Sequence, residues 1–223
     1  MQYLTRESSV KAISNITSLF HDIRGLYSKH GIDITKDVGR QNILISAAQE
    51  HFFADAINES FGVCSNDGRT GAADIIIECL DDRELECKVV CQSKSGGWQL
   101  QTDRATLEKK GSCDFLYLLF DRKHENVGVF LFSSLTPDDF KLPSPGSRGK
   151  ARLNKRTAFK KCVPLVGSFH DKRKAYMERY EREMCTANTD SERKKAAQKL
   201  ELWYNKPSCY SIQLESLNEI QPK

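Results

Sequence analysis

Two neighbouring segments of the chain alternate side chains with the period of a β-strand, which limits the folds this region can adopt. The first is DIIIEC at residues 74–79, and the second is ELECKVVCQ at residues 84–92. Successive side chains of a strand point to opposite faces. The first strand therefore places Asp74 on one face, and the second places Glu86 and Lys88 together. Each strand has one face that can pack on a core and one that gathers charge.

The length of the connection between these strands decides whether their charged residues meet. If the strands form a direct hairpin, Asp74 and Glu86 share a face only when the loop has an odd number of residues. A loop of residues 80–82 satisfies this condition and would place Asp74 opposite Lys88. A loop with an even number of residues would separate the two acids. Carboxylates beside a lysine are the residue types that hold a hard divalent cation next to a phosphate.

Helical spacing of apolar residues predicts two helices before these strands. The first covers about residues 10–29, and the second covers about residues 39–60 and stops at Gly62. The second has the apolar stripe Ile43, Ala47, Ala54 and Ile57, interrupted by Glu50. An ionised carboxylate buried without a partner is costly. Glu50 therefore either turns to solvent at the edge of the helix or brings a further carboxylate to the charged strands.

The remaining pattern predicts a mixed core followed by a basic extension. A short helix should end at Lys110 before Gly111, and strands should cover residues 114–120 and 127–132. We therefore expect an α/β (α+β) fold with a central mixed β-sheet flanked by helices over residues 1–140. Residues 141–223 should add a basic loop and helices at about 169–185 and 191–204, packed on the same domain.

The charge of the chain is divided between these two parts. Residues 1–140 hold 15 Lys and Arg against 21 Asp and Glu, a net −6, whereas residues 141–223 hold 19 against 9, a net +10. Residues 141–161 alone contain eight Lys or Arg and no acid. This asymmetry indicates a polyanionic partner for the C-terminal part.

Asp74 followed by the triplet Glu86-Cys87-Lys88 resembles the signature of the PD-(D/E)XK nuclease superfamily, an acid on one strand and an acid-x-Lys on the next. The resemblance covers about residues 40–135, and Ala72-Ala73 stands where the superfamily's name has a proline. It implies a restriction-endonuclease-like core. Other acid-x-Lys triplets occur in this chain, but none lies inside an alternating strand that follows an Asp-bearing strand.

The resemblance also implies roles for the residues of the charged face. Asp74, Glu86 and the backbone carbonyl of Cys87 would bind Mg²⁺, with Glu50 as an extra acid from the preceding helix. Lys88 would orient or help to deprotonate the attacking water and stabilise the charge of the transition state. Asp74, Glu86, Lys88 and Glu50 are thus the predicted catalytic residues.

Candidate DNA contacts lie in the loop after the second strand and in the basic segment. Lysine and arginine side chains neutralise phosphates, and amide side chains read adenine edges. The candidates are Gln92, Lys94, Trp98, Gln99, Gln101, Arg148, Lys150, Arg152, Lys155 and Arg156.

The expected activity is that of a Mg²⁺-dependent type II restriction endonuclease acting on double-stranded DNA, leaving 5′-phosphate and 3′-hydroxyl ends. Cutting both strands suggests a homodimer, for which the apolar stripe from Tyr176 to Met184 is a candidate surface. Two alternatives stay open: a structure-specific nuclease of the Holliday-junction type, and a non-catalytic DNA-binding protein on the same fold.

The expected location is intracellular. No apolar run approaches the roughly 20 residues that a membrane helix needs, and the first residues lack the apolar segment of a signal peptide. We expect a protein of the prokaryotic cytoplasm that is associated with the nucleoid.

Overall fold

The protein is described by a computed structural model covering residues 2–62, 64–65, 72–141, 143, 149–206 and 209–220. The helices within these residues are α1 (Arg6–Lys29), α2 (Val38–Phe61), α3 (Arg104–Lys110), α4 (Lys155–Ala158), α5 (Lys172–Thr186) and α6 (Asp190–Tyr204). The strands are β1 (Ile75–Ile77), β2 (Arg83–Cys91), β3 (Gln101–Asp103), β4 (Cys113–Phe120), β5 (Asn126–Leu135), β6 (Phe140–Lys141), β7 (Lys150–Leu153), β8 (Cys162–Val166), β9 (Ser168–Asp171), β10 (Tyr210–Gln213) and β11 (Glu215–Ser216). Short 3₁₀ turns cover Ile34–Lys36, Glu78–Leu80, Pro137–Asp139 and Phe159–Lys161.

The two N-terminal helices follow the predicted segments closely. Helix α1 begins four residues earlier than predicted, because the side chain of Thr5 accepts a hydrogen bond from the backbone N–H of Ser8 at 3.1 Å and caps the first turn. Helix α2 ends at Gly62, whose φ of +92° suits a glycine after a helix.

The buried side of α2 differs from the predicted stripe. Ala54 and Ile57 are buried, but Ala47 is exposed and Ile43 is 71% exposed. The core-facing side of the first half carries instead Ile45, Ala48, Gln49 and Phe53. Because α2 has apolar residues on more than one side, its sequence is compatible with two different buried sides. Packing against the sheet determines which of them is buried.

The central sheet is mixed, as predicted. Its strand order is β1-β2-β4-β5-β11, and β8 also pairs with β5. Strands β2 and β4 are parallel and are connected through α3, whereas β1 pairs with β2, and β4 with β5, in antiparallel fashion. A parallel connection needs such a crossover, so α3 lies beside β2 for a topological reason.

Both faces of this sheet are covered. Helices α1 and α2 pack on the face that carries Leu85, Cys87 and Leu116. The opposite face, with Phe115 and Tyr117, packs against α3, α4 and a small antiparallel sheet of order β3-β7-β6. Strand β4 is buried along its whole length, which explains its continuous apolar run.

The C-terminal part is less helical than predicted. Residues 168–171 form β9, paired with β10, rather than the start of a helix, and β8 and β11 both join the central sheet. Helices α5 and α6 form a hairpin in which Ala196 is the one buried residue. Among the described residues, no helix combines the length and the apolar run that a bilayer crossing requires.

Candidate active site

The pairing of β1 with β2 sets the positions of the predicted catalytic residues. Ile75 lies opposite Leu85 and Ile77 opposite Arg83, so five residues connect the strands. The predicted odd-numbered connection is confirmed. The predicted three-residue loop is wrong, because Glu78–Leu80 form a 3₁₀ turn and Asp81 and Asp82 adopt positive φ values of 54° and 52°. The first strand is therefore shorter than predicted, and the continued register brings Asp74 level with Glu86 rather than Lys88.

Asp74, Glu86 and Lys88 meet on one face of the sheet. The ammonium of Lys88 lies 3.1 Å from Asp74 Oδ2 and 2.8 Å from Glu86 Oε2, so one cation joins the two carboxylates. Glu86 is 5% exposed, whereas Asp74 and Lys88 are partly accessible. The face predicted from strand alternation is thus assembled from side chains that touch.

Lys110 is a further member of this cluster, which the sequence analysis missed. Its Nζ lies 2.6 Å from Glu86 Oε1 and 2.8 Å from Glu84 Oε2, and its side chain is 9% exposed. A lysine in the last turn of a helix is ordinary, because it interacts favourably with the helix dipole. No sequence pattern singles it out, since only the crossover through α3 brings it back to β2.

The backbone of Cys87 also faces this cluster. Its N–H donates to Asp74 Oδ2 at 2.7 Å. The pairing of β1 ends at Ile75 and Leu85, so no strand of the described residues covers this edge of β2 at Cys87. The N–H and C=O of a residue in a strand point to the same edge, which directs the Cys87 carbonyl toward Asp74. The thiol points into the core on the opposite side, where Cys87 is 2% exposed.

Glu50 lies at the edge of α2 within electrostatic reach of the same cluster. It is partly buried, and Ser46 Oγ donates to its Oε1 at 3.4 Å. Burial and the carboxylate of Asp74 raise the pKa of Glu50, while Lys88 acts in the opposite direction. Glu50 is therefore partly buried and interacts electrostatically with Asp74 and Lys88, and its role as a further carboxylate of the site stays a prediction.

The pKa values of the paired groups reflect their contacts. Burial would raise the pKa of Glu86, but Lys88 and Lys110 outweigh it and hold that pKa below its usual value. Burial would lower the pKa of Lys88, but Glu86 and Asp74 outweigh it and raise that pKa. Both groups are therefore charged at neutral pH.

The oxygen atoms of the cluster are of the type that Mg²⁺ binds. This ion binds oxygen ligands, uses one or two carboxylates, and keeps several waters. Asp74 and Glu86 offer two carboxylates and the Cys87 backbone offers a neutral oxygen, and these are donor types that Mg²⁺ uses. In the described part of the chain there is no cluster of three or more His, Cys, Asp or Glu side chains arranged to hold a metal. The two carboxylates already share one cation, the ammonium of Lys88, which supports a site for positive charge between them.

In the loop after β2, two of the side chains predicted to contact DNA make hydrogen bonds within the protein instead. The Trp98 indole N–H donates to the carbonyl of Phe120 at 3.1 Å, and the Gln92 side chain donates to the carbonyl of Gly96 at 3.0 Å. Lys94 and Gln99 are exposed. Trp98 and Gln92 therefore order the loop, and Lys94 and Gln99 are available to a ligand.

The small sheet gathers several residues of the basic segment on one face. Gln101 pairs with Arg152, Asp103 with Lys150, and Lys141 with Arg152. Residues opposite each other in adjacent strands share a face, and the alternate residues Ala151 and Leu153 are buried. The solvent face thus carries Gln101, Lys150 and Arg152 together.

The remaining predicted basic contacts are separate from this face. Arg156 is exposed on α4, and Lys155 on the same short helix is partly buried, which lowers its pKa. Arg148 lies outside the described residues.

Comparisons with known proteins leave the geometry as the basis for any functional conclusion. No model of a known protein family matches the chain, and no curated protein matches it either.

Proposed function

We propose that the protein is a Mg²⁺-dependent, sequence-specific endodeoxyribonuclease of the type II restriction endonuclease kind. It would hydrolyse phosphodiester bonds of double-stranded DNA to leave 5′-phosphate and 3′-hydroxyl ends. The observation that carries this proposal is the meeting of Asp74, Glu86 and Lys88 at a strand edge that no other described strand covers at Cys87.

The order of elements around the site supports a restriction-endonuclease-like core. The PD-(D/E)XK order is helix, three strands, helix, strand. In this chain α2 is followed by a bridge between Ser65 and Ile76, then β1, β2, α3 and β4, with the short strand β3 of the small sheet between β2 and α3. We propose that this bridge corresponds to the first of the three strands.

The roles of the residues follow from their positions. Mg²⁺, when bound, polarises the scissile phosphate and lowers the pKa of a bound water. Asp74, Glu86 and the Cys87 carbonyl would hold it, and Glu50 on α2 would add negative charge to the site. Lys88 lies beside both carboxylates, so its ammonium would stabilise negative charge on the phosphate.

Exposed cations near the site supply the expected phosphate contacts. Lys150 and Arg152 on the small sheet and Lys94 in the loop after β2 are exposed, and we propose that they bind the DNA backbone. Cleavage of both strands would be achieved by a homodimer.

A second candidate is a DNA-binding protein without nuclease activity. It is favoured by the pairing of Glu86, both of whose oxygens already have a lysine partner at 2.6 and 2.8 Å. Such a network is a stable arrangement without a metal.

Plasmid cleavage separates these functions. Incubation with plasmid and Mg²⁺ should give discrete fragments, and Asp74→Asn should reduce the cleavage rate by at least about a hundredfold, because the variant loses a charged metal ligand. Asp22→Asn, which changes an exposed acid on α1, is the matched control and should cut normally. Cleavage of branched DNA alone would favour the junction-specific alternative.

A mobility shift without cleavage would favour the binding protein. Wild-type cleavage by Asp74→Asn would contradict the assignment of the site.

A further inference from the structure

The position of the Lys88 ammonium bears on how a metal would enter the site. Its Nζ is within 3.1 Å of Asp74 Oδ2 and 2.8 Å of Glu86 Oε2. These are the two carboxylates assigned to the metal, and an ion bound to both would come close to the same ammonium. Two cations this close repel each other strongly, all the more because the side chains of Glu86 and Lys88 are mostly buried.

Lys110 contacts the same glutamate in a different way. It binds the other oxygen, Glu86 Oε1, and also Glu84 Oε2, and it makes no ion pair with Asp74. Its ammonium is thus placed on the α3 side of Glu86, so Oε2 and Asp74 can bind a metal while Lys110 stays in place. Both lysines carry one positive charge at a similar distance from Glu86. Only Lys88 also contacts Asp74.

We propose that the Lys88 ammonium is an internal competitor for the metal position: it occupies Asp74 and Glu86 when no divalent cation is bound and must leave them when one binds. The identity of the cation as Mg²⁺ rests on the proposed function. Lys110 remains on Glu86 in both states and keeps the orientation of that carboxylate.

This competition couples the metal to the substrate. An ammonium displaced from two carboxylates needs another anionic partner, and a phosphate of the DNA backbone provides one. DNA that accepts Lys88 therefore favours metal binding, and by linkage the metal favours DNA binding by the same factor. Mg²⁺ would therefore bind weakly in the absence of DNA and more tightly once a phosphate accepts the Lys88 ammonium.

Calorimetric titration of the full chain with Mg²⁺ in the absence of DNA tests the competition. Lys88→Gln should lower the Kd for Mg²⁺ at least tenfold, about 1.4 kcal/mol, because the competitor is removed. Lys110→Gln removes the same charge from the same glutamate but leaves Lys88 on both acids, so it should tighten Mg²⁺ binding clearly less than Lys88→Gln does. Equal tightening by both variants would indicate a general charge effect and would overturn the proposal.

A second measurement uses the wild-type chain and does not depend on the variants folding. In a nitrogen-15 NMR titration of lysine side chains, Mg²⁺ should shift the Lys88 ammonium signal and leave that of Lys110 nearly unchanged. Comparable shifts of both signals, or no shift of Lys88 at saturating Mg²⁺, would contradict the competition.

The coupling is measured by repeating the calorimetry with an uncleavable phosphorothioate duplex. The duplex should tighten Mg²⁺ binding to the wild-type chain more than to Lys88→Gln, and equal tightening would overturn the role of the phosphate. None of these readouts requires cleavage. A chain that shows the competition but does not cut plasmid would therefore retain this inference and lose the nuclease proposal.

Discussion

Asp114 is a buried carboxylate that joins distant parts of the chain. It is 2% exposed and accepts hydrogen bonds from the Tyr3 hydroxyl at 2.7 Å, from Arg83 Nε at 2.7 Å and from the Ser134 N–H at 2.7 Å. Burial and the charge of Asp114 both raise the pKa of Tyr3, so this hydroxyl stays protonated and donates. A buried charge with several donors is stable only while all its partners remain. Asp114 therefore fixes the start of the chain against β2, β4 and β5.

Removing this carboxylate should destabilise the protein strongly. We expect Asp114→Ala to lower the free energy of unfolding by about 3 kcal/mol, because it leaves Arg83 without its ion-pair partner and the Ser134 N–H without an acceptor. Tyr3→Phe removes one donor and should cost about 1 kcal/mol. Urea unfolding measures both values, and a loss for Asp114→Ala no larger than that for Tyr3→Phe would contradict this role.

Helix α3 and the small sheet are the elements that bring the C-terminal charge to the side of the central sheet that carries Asp74, Glu86 and Lys88. Strand β3 pairs with β7 and leads directly into α3, which ends with Lys110 on Glu86. The small sheet packs through Ala151 and Leu153 on the same side of the central sheet that carries Phe115 and Tyr117. Lys150 and Arg152 are thereby held on a rigid surface rather than on the loop that the sequence predicts.

This placement gives a prediction for DNA binding. The double variant Lys150→Gln/Arg152→Gln should weaken binding and reduce the slope of log K against log salt by about 0.9 for each phosphate that the two side chains neutralise. Fluorescence anisotropy at several salt concentrations measures the slope. Lys174→Gln/Lys195→Gln, on exposed positions of α5 and α6, is the matched control. An unchanged slope in the first variant would exclude the small sheet from the interface.

The α5–α6 hairpin uses its aromatic stripe internally. Tyr176 stacks on Trp203 with ring centroids 4.3 Å apart, and Lys199 lies over the ring of Tyr180 at 5.4 Å. The stripe predicted as a dimer surface therefore contacts α6 through Tyr176 and Tyr180, although no residue of α5 is buried. A homodimer remains part of the proposed function.

Loss of the stacking should affect the hairpin and not the oligomeric state. We expect Tyr176→Ala to lower stability by about 1 kcal/mol, the value of an aromatic pair. Circular dichroism measures the stability, and light scattering coupled to size exclusion should give the same mass as for the wild type. A change of mass in the variant would indicate that the stripe from Tyr176 to Met184 takes part in a dimer interface.

At the scale of the whole molecule, contacts between the two ends of the chain close the fold. Arg6 in α1 and Glu215 in β11 form a two-pronged ion pair at 2.8 and 2.5 Å, and Glu215 also accepts the Gly167 N–H at 2.6 Å. The Arg6 guanidinium, together with the Gly167 N–H, holds the pKa of Glu215 below its usual value of 4.5, against the effect of burial. The pair therefore couples folding to pH.

The sign of that coupling follows from the lowered pKa. The unfolded chain binds the Glu215 proton more readily than the folded chain does, so the stabilisation is complete above pH 4.5 and is lost as the pH falls through the lower folded value. The melting temperature of the wild type should exceed that of Glu215→Gln at pH 7, and this difference should narrow as the pH falls below 4.5. Thermal melts across this range measure the difference, and a constant difference would contradict the coupling.

Much of the fold follows from local patterns that the sequence displays. The alternation in β1 and β2, the continuous apolar run of β4 and the glycines after α1, α2 and α3 reflect interactions within one element or its turns. The sequence therefore predicted these elements, the odd-numbered connection, and the contact among Asp74, Glu86 and Lys88. The functional meaning of that contact stays a proposal.

Other features depend on contacts between residues far apart in the chain, and only the tertiary structure decided them. The short strands β3, β6 and β7 gain their hydrogen bonds from one another, and segments of two to four residues are too short for alternation to identify a strand in the sequence. Lys110 reaches Glu86 across 24 residues because a parallel connection must return through a helix, and α2 buries Ile45 rather than Ile43 because the sheet selects one of its sides. The sequence by itself determined the elements and the residue types of the charged face. The tertiary structure decided the pairing of β1 with β2, which is shifted by two residues from the predicted one, so that Asp74 lies level with Glu86 rather than Lys88. It also decided that Lys88 and Lys110 are the cations that contact the carboxylates. Both features depend on packing and charge across the sheet.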